Sequence, residues 1–291
     1  TKNVMVSKLV INLKKKIYLD DILKIPIKNK ISFSKISSAE NPIDESLIFL
    51  KKDINLNINK NIKVLVISDN KLKSKDKNYI YSQNPRLLFC KILKRLKDKK
   101  LIIYPRIKNK ISKSSKISSN AIIEENVQIG DNTIIEGGSI IKSNTIIGKN
   151  CKIKPGSIIG GDGFSFERES FKLYEMIAFG GVKLGDNVSV GLNSTVCRST
   201  FKFTEIGSGT QIDTQVQIAH NVKIGKNCTI TGGTQIGGSS IVGNNVWFSP
   251  CSNISNNIQI GDKSFIGIGS VVIRNVPKNS KVFGNPARKI D

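Results

Sequence analysis

Histidine is almost absent from this 291-residue chain, and His220 is the only one. A single imidazole argues against a metal site that draws three histidine ligands from one chain. Cysteine is sparse too: Cys90, Cys151, Cys197, Cys228 and Cys251 are odd in number, scattered, and form no C-x-x-C pair. That spacing fits neither a disulfide framework nor a zinc knuckle, so a reducing cytoplasm is the expected compartment. Aromatic residues make up 6% of the chain and do not interleave with any basic cluster. Nucleic acid is therefore not the expected partner. No apolar run approaches the ~20 residues that span a bilayer, so no transmembrane segment is expected. Lys8 interrupts the apolar stretch at the N-terminus, which argues against a signal peptide. Acidic residues are outnumbered, 22 Asp and Glu against 46 Lys and Arg, leaving a net charge of +24. Solvated lysines from a compositionally biased genome account for that charge. The alternative is a basic surface for an anionic partner: a nucleotide, a phosphopantetheine carrier or an acidic lipid.

What is abundant is isoleucine at a fixed spacing. Ile111, Ile117, Ile123, Ile129, Ile135, Ile141, Ile147, Ile153 and Ile159 lie six residues apart. Leu184, Val190 and Val196 continue the period, and it runs again without a break from Ile206 to Val272. A small or β-branched residue precedes each aliphatic by two (Thr133, Ser139, Cys151, Thr210, Val216). Asn or Gly often follows it by three (Asn132, Asn150, Asn187, Asn227, Asn245). A period of six is a short strand plus a corner, with one aliphatic pointing inward at each step. Gly and Asn adopt the positive φ of such corners most cheaply. Stacked coils bury a continuous column that no single repeat could bury alone. The phase breaks twice, at Gly160–Lys183 and near Thr200–Phe203. The first is expected to be a loop pushed out of the stack, the second a smaller bulge, and such excursions are where binding residues concentrate.

Residues 1–107 do not repeat. The run Ile62–Ser68 has the β-branched composition of a buried strand. After it, Asn84 and Pro85 are the cap and first residue of an expected helix. Leu88 or Phe89, Ile92, Leu93 and Leu96 would share one face of it. Lys97, Lys99 and Lys100 would sit at the negative end of its dipole. The first domain is expected to be a small α/β unit over 1–107, followed by the repeat domain over 108–291 with residues 160–183 extruded.

The hexads, with their small, Gly and Asn positions, resemble the hexapeptide-repeat acyltransferases. Three stretches together are similar to the UDP-3-O-acylglucosamine N-acyltransferases of lipid A biosynthesis. They are ISSAENPIDESLIFL with NPRLLF, the GGDGF loop start, and QIDTQVQIAHNVKIG around His220. The resemblance implies a mainly β fold: a left-handed parallel β-helix of hexapeptide repeats, preceded by an α/β domain that binds the uridine nucleotide, and assembled as a homotrimer. It implies transfer of a (3-hydroxy)acyl chain to the 2-amino group of a UDP-linked amino sugar. The donor would be a 4'-phosphopantetheine thioester on acyl carrier protein or CoA, with no metal and no permanently bound cofactor.

By position, His220 matches the catalytic base, Asp213 its acidic partner, and Gly238 a backbone N–H that stabilises the oxyanion. Spacing agrees for one pair: His220 and Gly238 are three hexads apart, which puts them in one column on adjacent turns of a three-sided coil. Acyl transfer to an amine needs a base that titrates near neutrality and donors aimed at the developing oxyanion. Asp162 and Phe164 of the loop, Gln217, Phe49, Asn55 and Asn257 are the candidate substrate-binding residues.

The chain departs from the family pattern in places. Asn257 stands where a second His is expected, Asn55 falls near a uracil-stacking Tyr, and Cys197-Arg198 replaces Asp-Arg. The sequence finishes in GNPARKID rather than in helices that receive a carrier protein. GNPAR also ends many CoA-dependent sugar acetyltransferases. Two rival readings therefore stay open: a CoA-dependent acetyltransferase acting on another nucleotide-linked amino sugar, and a degenerate β-helix that serves only as a binding or scaffold protein.

Overall fold

The computed structural model describes residues 9–23, 31–50, 62–69 and 79–290. It divides into two compact units: Thr1–Pro105 with Ser165–Phe179, and Arg106–Phe164 with Gly180–Asp291.

In the first unit the elements run β1 (Ile11–Tyr18), α1 (Leu19–Leu23), β2 (Ser32–Ile36), β3 (Ser46–Phe49), β4 (Val64–Ser68), β5 (Tyr79–Tyr81), α2 (Pro85–Asp98) and β6 (Ile102–Ile103). They form one sheet in the order β5-β4-β3-β2-β1-β6. Strands β2 to β5 pair in parallel, while β1 runs antiparallel to β2 and β6. Every residue of β4 is buried, as expected of a strand covered on both faces. Helix α2 starts where the sequence signals it: Asn84 Oδ1 accepts from Leu87 N at 3.0 Å, and Pro85 opens the first turn. Its buried face is Phe89, Ile92, Leu93 and Leu96; Leu88 lies off that face.

The excursion after Ile159 is not an unstructured loop. Phe166–Glu169 and Lys172–Glu175 form an antiparallel hairpin that belongs to the first unit. Arg86 of α2 pairs with Glu167 and donates to Ser165 Oγ at 2.7 Å. Lys91 meets Glu169 at 2.5 Å, and Lys97 meets Glu175 at 3.6 Å.

The second unit is a parallel β-solenoid. Its two- to four-residue strands stack into three sheets, and from Lys110–Ile111 to Val271–Val272 each strand pairs in parallel with the third solenoid strand on in sequence. At the end Lys281–Phe283 stacks on Phe265–Ile266 and pairs antiparallel with Arg288–Ile290. Ile129 pairs with Ile147, Ile212 with Ile230, and Ile218 with Ile236, so one coil takes eighteen residues. Ile147 pairs with Leu184 and Leu184 with Ile206, which shows the stack closing across both phase breaks.

The inward aliphatics form one continuous core from Val127 to Val282. Ile111 is an exception at 41% exposure, because its strand has a neighbour on one side only. Corners turn through positive φ at Asn132, Asn150, Asn187, Asn227 and Asn245. The small residues before each aliphatic also have a polar task. Thr133 Oγ1 donates to Gly148 O at 2.8 Å, Ser157 Oγ to Gly191 O at 2.6 Å, and Thr210 Oγ1 to Gly225 O at 3.0 Å. These bonds satisfy corner carbonyls that the parallel ladders leave unpaired.

Candidate active site

One corner of the solenoid carries the candidate residues. The strands Thr195–Cys197, Gln217–Ile218, Gln235–Ile236 and Asn253–Ile254 are stacked neighbours. The second residue after each inward aliphatic therefore falls in one column: Arg198, His220, Gly238, Asn256. Sequence spacing predicts the His220–Gly238 juxtaposition, and the contacts bear it out. A Cβ added at Gly238 would lie 2.8 Å from His220 Cε1 and 3.0 Å from Nε2. Gly163 crowds the ring from the loop side, where an added Cβ would lie 2.8 Å from His220 Cβ and 2.9 Å from Cδ2. The imidazole thus sits between two glycines, and neither position has room for a side chain.

The ring's Nδ1 is 3.0 Å from Asn221 Nδ2. Asn221 Oδ1 accepts from Ser199 Oγ at 2.7 Å and from Thr200 N at 2.8 Å. Ser199 and Thr200 open the smaller phase break, so the bulge reaches the histidine through this amide. Gly238 N donates to Asn256 Oδ1 at 2.7 Å. The same cap recurs at other corners, with Asn244 Oδ1 on Lys226 N and Asp262 Oδ1 on Asn244 N.

The loop that carries Gly163 is fixed by Arg198. Its side chain is 11% exposed, donates to Gly160 O at 2.7 Å and pairs with Asp162 Oδ1 at 3.2 Å. Burial pushes the neighbouring Cys197 thiol up, and the Asp162 charge adds to the shift. Cys197 is therefore a protonated thiol rather than a nucleophile. Glu124 belongs to the same side of the stack. Burial opposes its ionisation, but bonds from Lys142 and Ser143 N, with the Lys142 and Arg198 charges, hold its carboxyl below the ordinary value.

The other expected residues are distributed as follows. Asp213 follows strand Gln211–Ile212 of a different sheet, at the neighbouring corner, where Oδ2 accepts from Gly232 N at 3.1 Å. Gln217 is exposed in its ladder between Thr195 and Gln235. Phe164 is 85% exposed. Asn257 is a corner residue with φ +61°, and its N donates to Gly238 O at 2.9 Å. Phe49 ends β3 in the first unit, its ring 4.9 Å from that of Phe89. Asn55 lies outside the described residues. Gly163, Asn221 and Asn256 were not singled out by sequence reasoning, and Arg198 entered it only beside Cys197 as a departure from the family pattern. Gly163 and Asn221 sit inside the GGDGF and QIAHN segments, which is the signal that could have found them. Among the described residues no group of three His, Cys, Asp or Glu is placed to hold a metal ion, and no helix is long and apolar enough to cross a membrane.

Comparison with known proteins agrees with the repeat fold. The family model "Bacterial transferase hexapeptide (six repeats)" matches residues 126–161 and 203–238, the second of which contains His220 and Gly238. The UDP-3-O-acylglucosamine N-acyltransferase of Campylobacter lari is 34% identical over 292 aligned residues, covering 92% of this chain and 88% of that protein. The enzyme of the same name from Methylorubrum populi is 35% identical over 138 residues, covering 47% of this chain and 39% of the relative. Among solved structures, the UDP-N-acetylglucosamine acyltransferase of Francisella novicida superposes with a TM-score of 0.51 at 26% identity, covering 60% of this chain and 64% of that one. The solenoid is thus the left-handed β-helix of the hexapeptide-repeat acyltransferases, and the chain belongs to the UDP-3-O-acylglucosamine N-acyltransferase family.

Proposed function

We propose that the protein is an N-acyltransferase. It moves a (3-hydroxy)acyl chain from a phosphopantetheine thioester, carried by acyl carrier protein, to the 2-amino group of a UDP-3-O-acylglucosamine. The observation that carries this reading is the chain's one histidine, crowded by Gly163 and Gly238 and lying in a stretch that the hexapeptide family model matches. In the reaction the amine nitrogen bonds to the thioester carbonyl carbon and the C–S bond breaks. One amine proton passes to His220, and the departing thiolate takes up a proton. The carbonyl oxygen becomes an oxyanion in the tetrahedral state and needs a preorganised donor. Gly238 N–H is that donor. It serves by exchanging the Asn256 oxygen for the substrate's, one acceptor for another, so no buried N–H is left unpaired.

Asp213, held by Gly232 N–H at the next corner, is the acidic partner that balances the imidazolium charge. Asp162 and Phe164 of the loop, together with Gln217 and Asn257, line the acceptor's path. Phe49 and Asn55 of the first unit contact the uridine. The assembly is a homotrimer, and the excess of lysine suits an acidic carrier protein.

The test is a transfer assay on UDP-3-O-acylglucosamine with a long-chain 3-hydroxyacyl carrier protein beside acetyl-CoA. Wild type is compared with His220→Ala. Transfer from the carrier that falls by about 10²–10⁴ in the variant is expected. Transfer from acetyl-CoA alone would move the protein to the sugar acetyltransferases. A fully active His220→Ala protein would remove the histidine from the chemistry.

A further inference from the structure

The imidazole's surroundings fix more than its position. Thr200 N–H can only donate, so the Asn221 atom it meets at 2.8 Å is the carbonyl oxygen. Ser199 Oγ reaches the same oxygen at 2.7 Å and itself accepts from Lys202 N at 3.3 Å, which leaves its hydrogen for Asn221. The amide therefore cannot be turned over. The group facing His220 Nδ1 at 3.0 Å is Asn221's NH₂, which can only donate. A neutral imidazole has one N–H and one acceptor nitrogen. We propose that Asn221 is a positioning residue that holds the neutral His220 ring with its hydrogen on Nε2 and its lone pair on Nδ1.

The inference deepens the proposed reading and rests on it only for its consequence. Held this way, the ring presents a donor at Nε2, not a lone pair. Taking the amine proton at Nε2 requires the ring hydrogen to stand on Nδ1 first, where it would face the Asn221 amide hydrogens. Asn221 thus sets how much base-competent tautomer exists. When the contact opens, its nitrogen retains a second acceptor, Ser239 Oγ at 3.3 Å. The charged side chains on the elements around the ring are Asp162 of the loop, Arg198 of the preceding coil, Lys202 of the bulge and Asp213 at the adjacent corner. The coil beneath brings Gly238 and Ser239, which carry no charge.

Because the chain has one histidine, the full-length protein labelled with ¹⁵N-histidine gives one pair of ring-nitrogen signals, even in a symmetric oligomer. Their couplings to the ring protons identify which nitrogen bears hydrogen, and no substrate is required. Asn221→Asp keeps an oxygen for Ser199 and Thr200 but turns an acceptor toward Nδ1. Asn221→Gly removes the amide at a residue whose φ of +62° suits glycine. The expected result is Nε2–H in the wild type and a move to Nδ1–H in Asn221→Asp. That variant's titration midpoint should rise by about one pH unit or more, and Asn221→Gly should show a mixture. Nδ1–H in the wild type, or the same tautomer in all three proteins, would overturn the proposal. An inactive His220→Ala protein and an altered tautomer are separate readouts, so this inference and the proposed function fail independently.

Discussion

The sharpest perturbation of the site is a single methyl group at Gly163. The added carbon would meet His220 Cβ at 2.8 Å, Cδ2 at 2.9 Å and Cγ at 3.2 Å. Carbon atoms in good contact stand ~3.5–4.0 Å apart, so the overlap is about 0.7 Å or more. Room for the ring to move is also short at its Cε1–Nε2 end, where a Cβ on Gly238 would stand 2.8 Å from Cε1 and 3.0 Å from Nε2. Either the loop lifts or the imidazole tilts and loses Asn221. A misplacement of ~1 Å at a reacting group costs about 10²-fold in rate, so kcat of Gly163→Ala is expected to fall about 10- to 100-fold. Gly161, two residues earlier, supplies the control. Its added Cβ meets nothing closer than Ile158 Cγ2 at 3.5 Å, an ordinary contact, so Gly161→Ala is expected to keep wild-type turnover. Both variants would be assayed for kcat with the acyl carrier thioester, and for Tm to show that each is folded. A folded Gly163→Ala enzyme within threefold of wild type would refute the claim that this loop clamps a working histidine.

Other expectations follow from the same contacts. Asn256→Ala uncovers Gly238 N–H and should leave kcat equal or higher, whereas Asn256→Asp, a stronger acceptor on that donor, should lower it; steady-state kinetics of the pair decide the point. Burial pushes the Cys90 thiol up from 9.0 to about 12, with the Arg86 charge opposing, so the folded state keeps a proton that the unfolded chain releases. Stability is then lost as pH rises between those values, at up to about 1.4 kcal/mol per pH unit, and Cys90→Ala should flatten the alkaline arm of a urea-denaturation series. Arg86→Ala unpairs Glu167 and Ser165, so the hairpin should become the first site of limited tryptic cleavage, at Arg168 or Lys172, with the solenoid left intact.

The solenoid was legible because each hexad sends an apolar side chain into the core at the same place in its period, and that residue is buried from Ile129 through Val272. A regular period needs no knowledge of distant contacts. The His220–Gly238 pair was legible for the same reason, since a column repeats every coil. The hairpin was not. Its ion pairs join Arg86 to Glu167 and Lys91 to Glu169 across some eighty residues, and nothing in the local composition of either segment announces the other. Asn221 looks like one more corner asparagine, with the positive φ of its class. Its contact with the ring depends on Ser199 and Thr200, which stand in a place where the repeat fails. The cap on Gly238 was hidden differently: Asn256 obeys a structural rule of the corners, and only its place under the histidine gives it a second meaning.

The eighteen-residue coil also constrains how the length of this chain can vary. Deleting six residues between His220 and Gly238 would leave the aliphatic column in phase, with Val242 taking the place of Ile236. The protein would still fold, yet Asn244 would arrive beneath the imidazole instead of a glycine. Deleting eighteen would keep every face in place and bring Asn256 there. Folding tolerates length changes in sixes, whereas each face keeps its chemistry only in eighteens, and neither unit spares the stretch that joins His220 to Gly238.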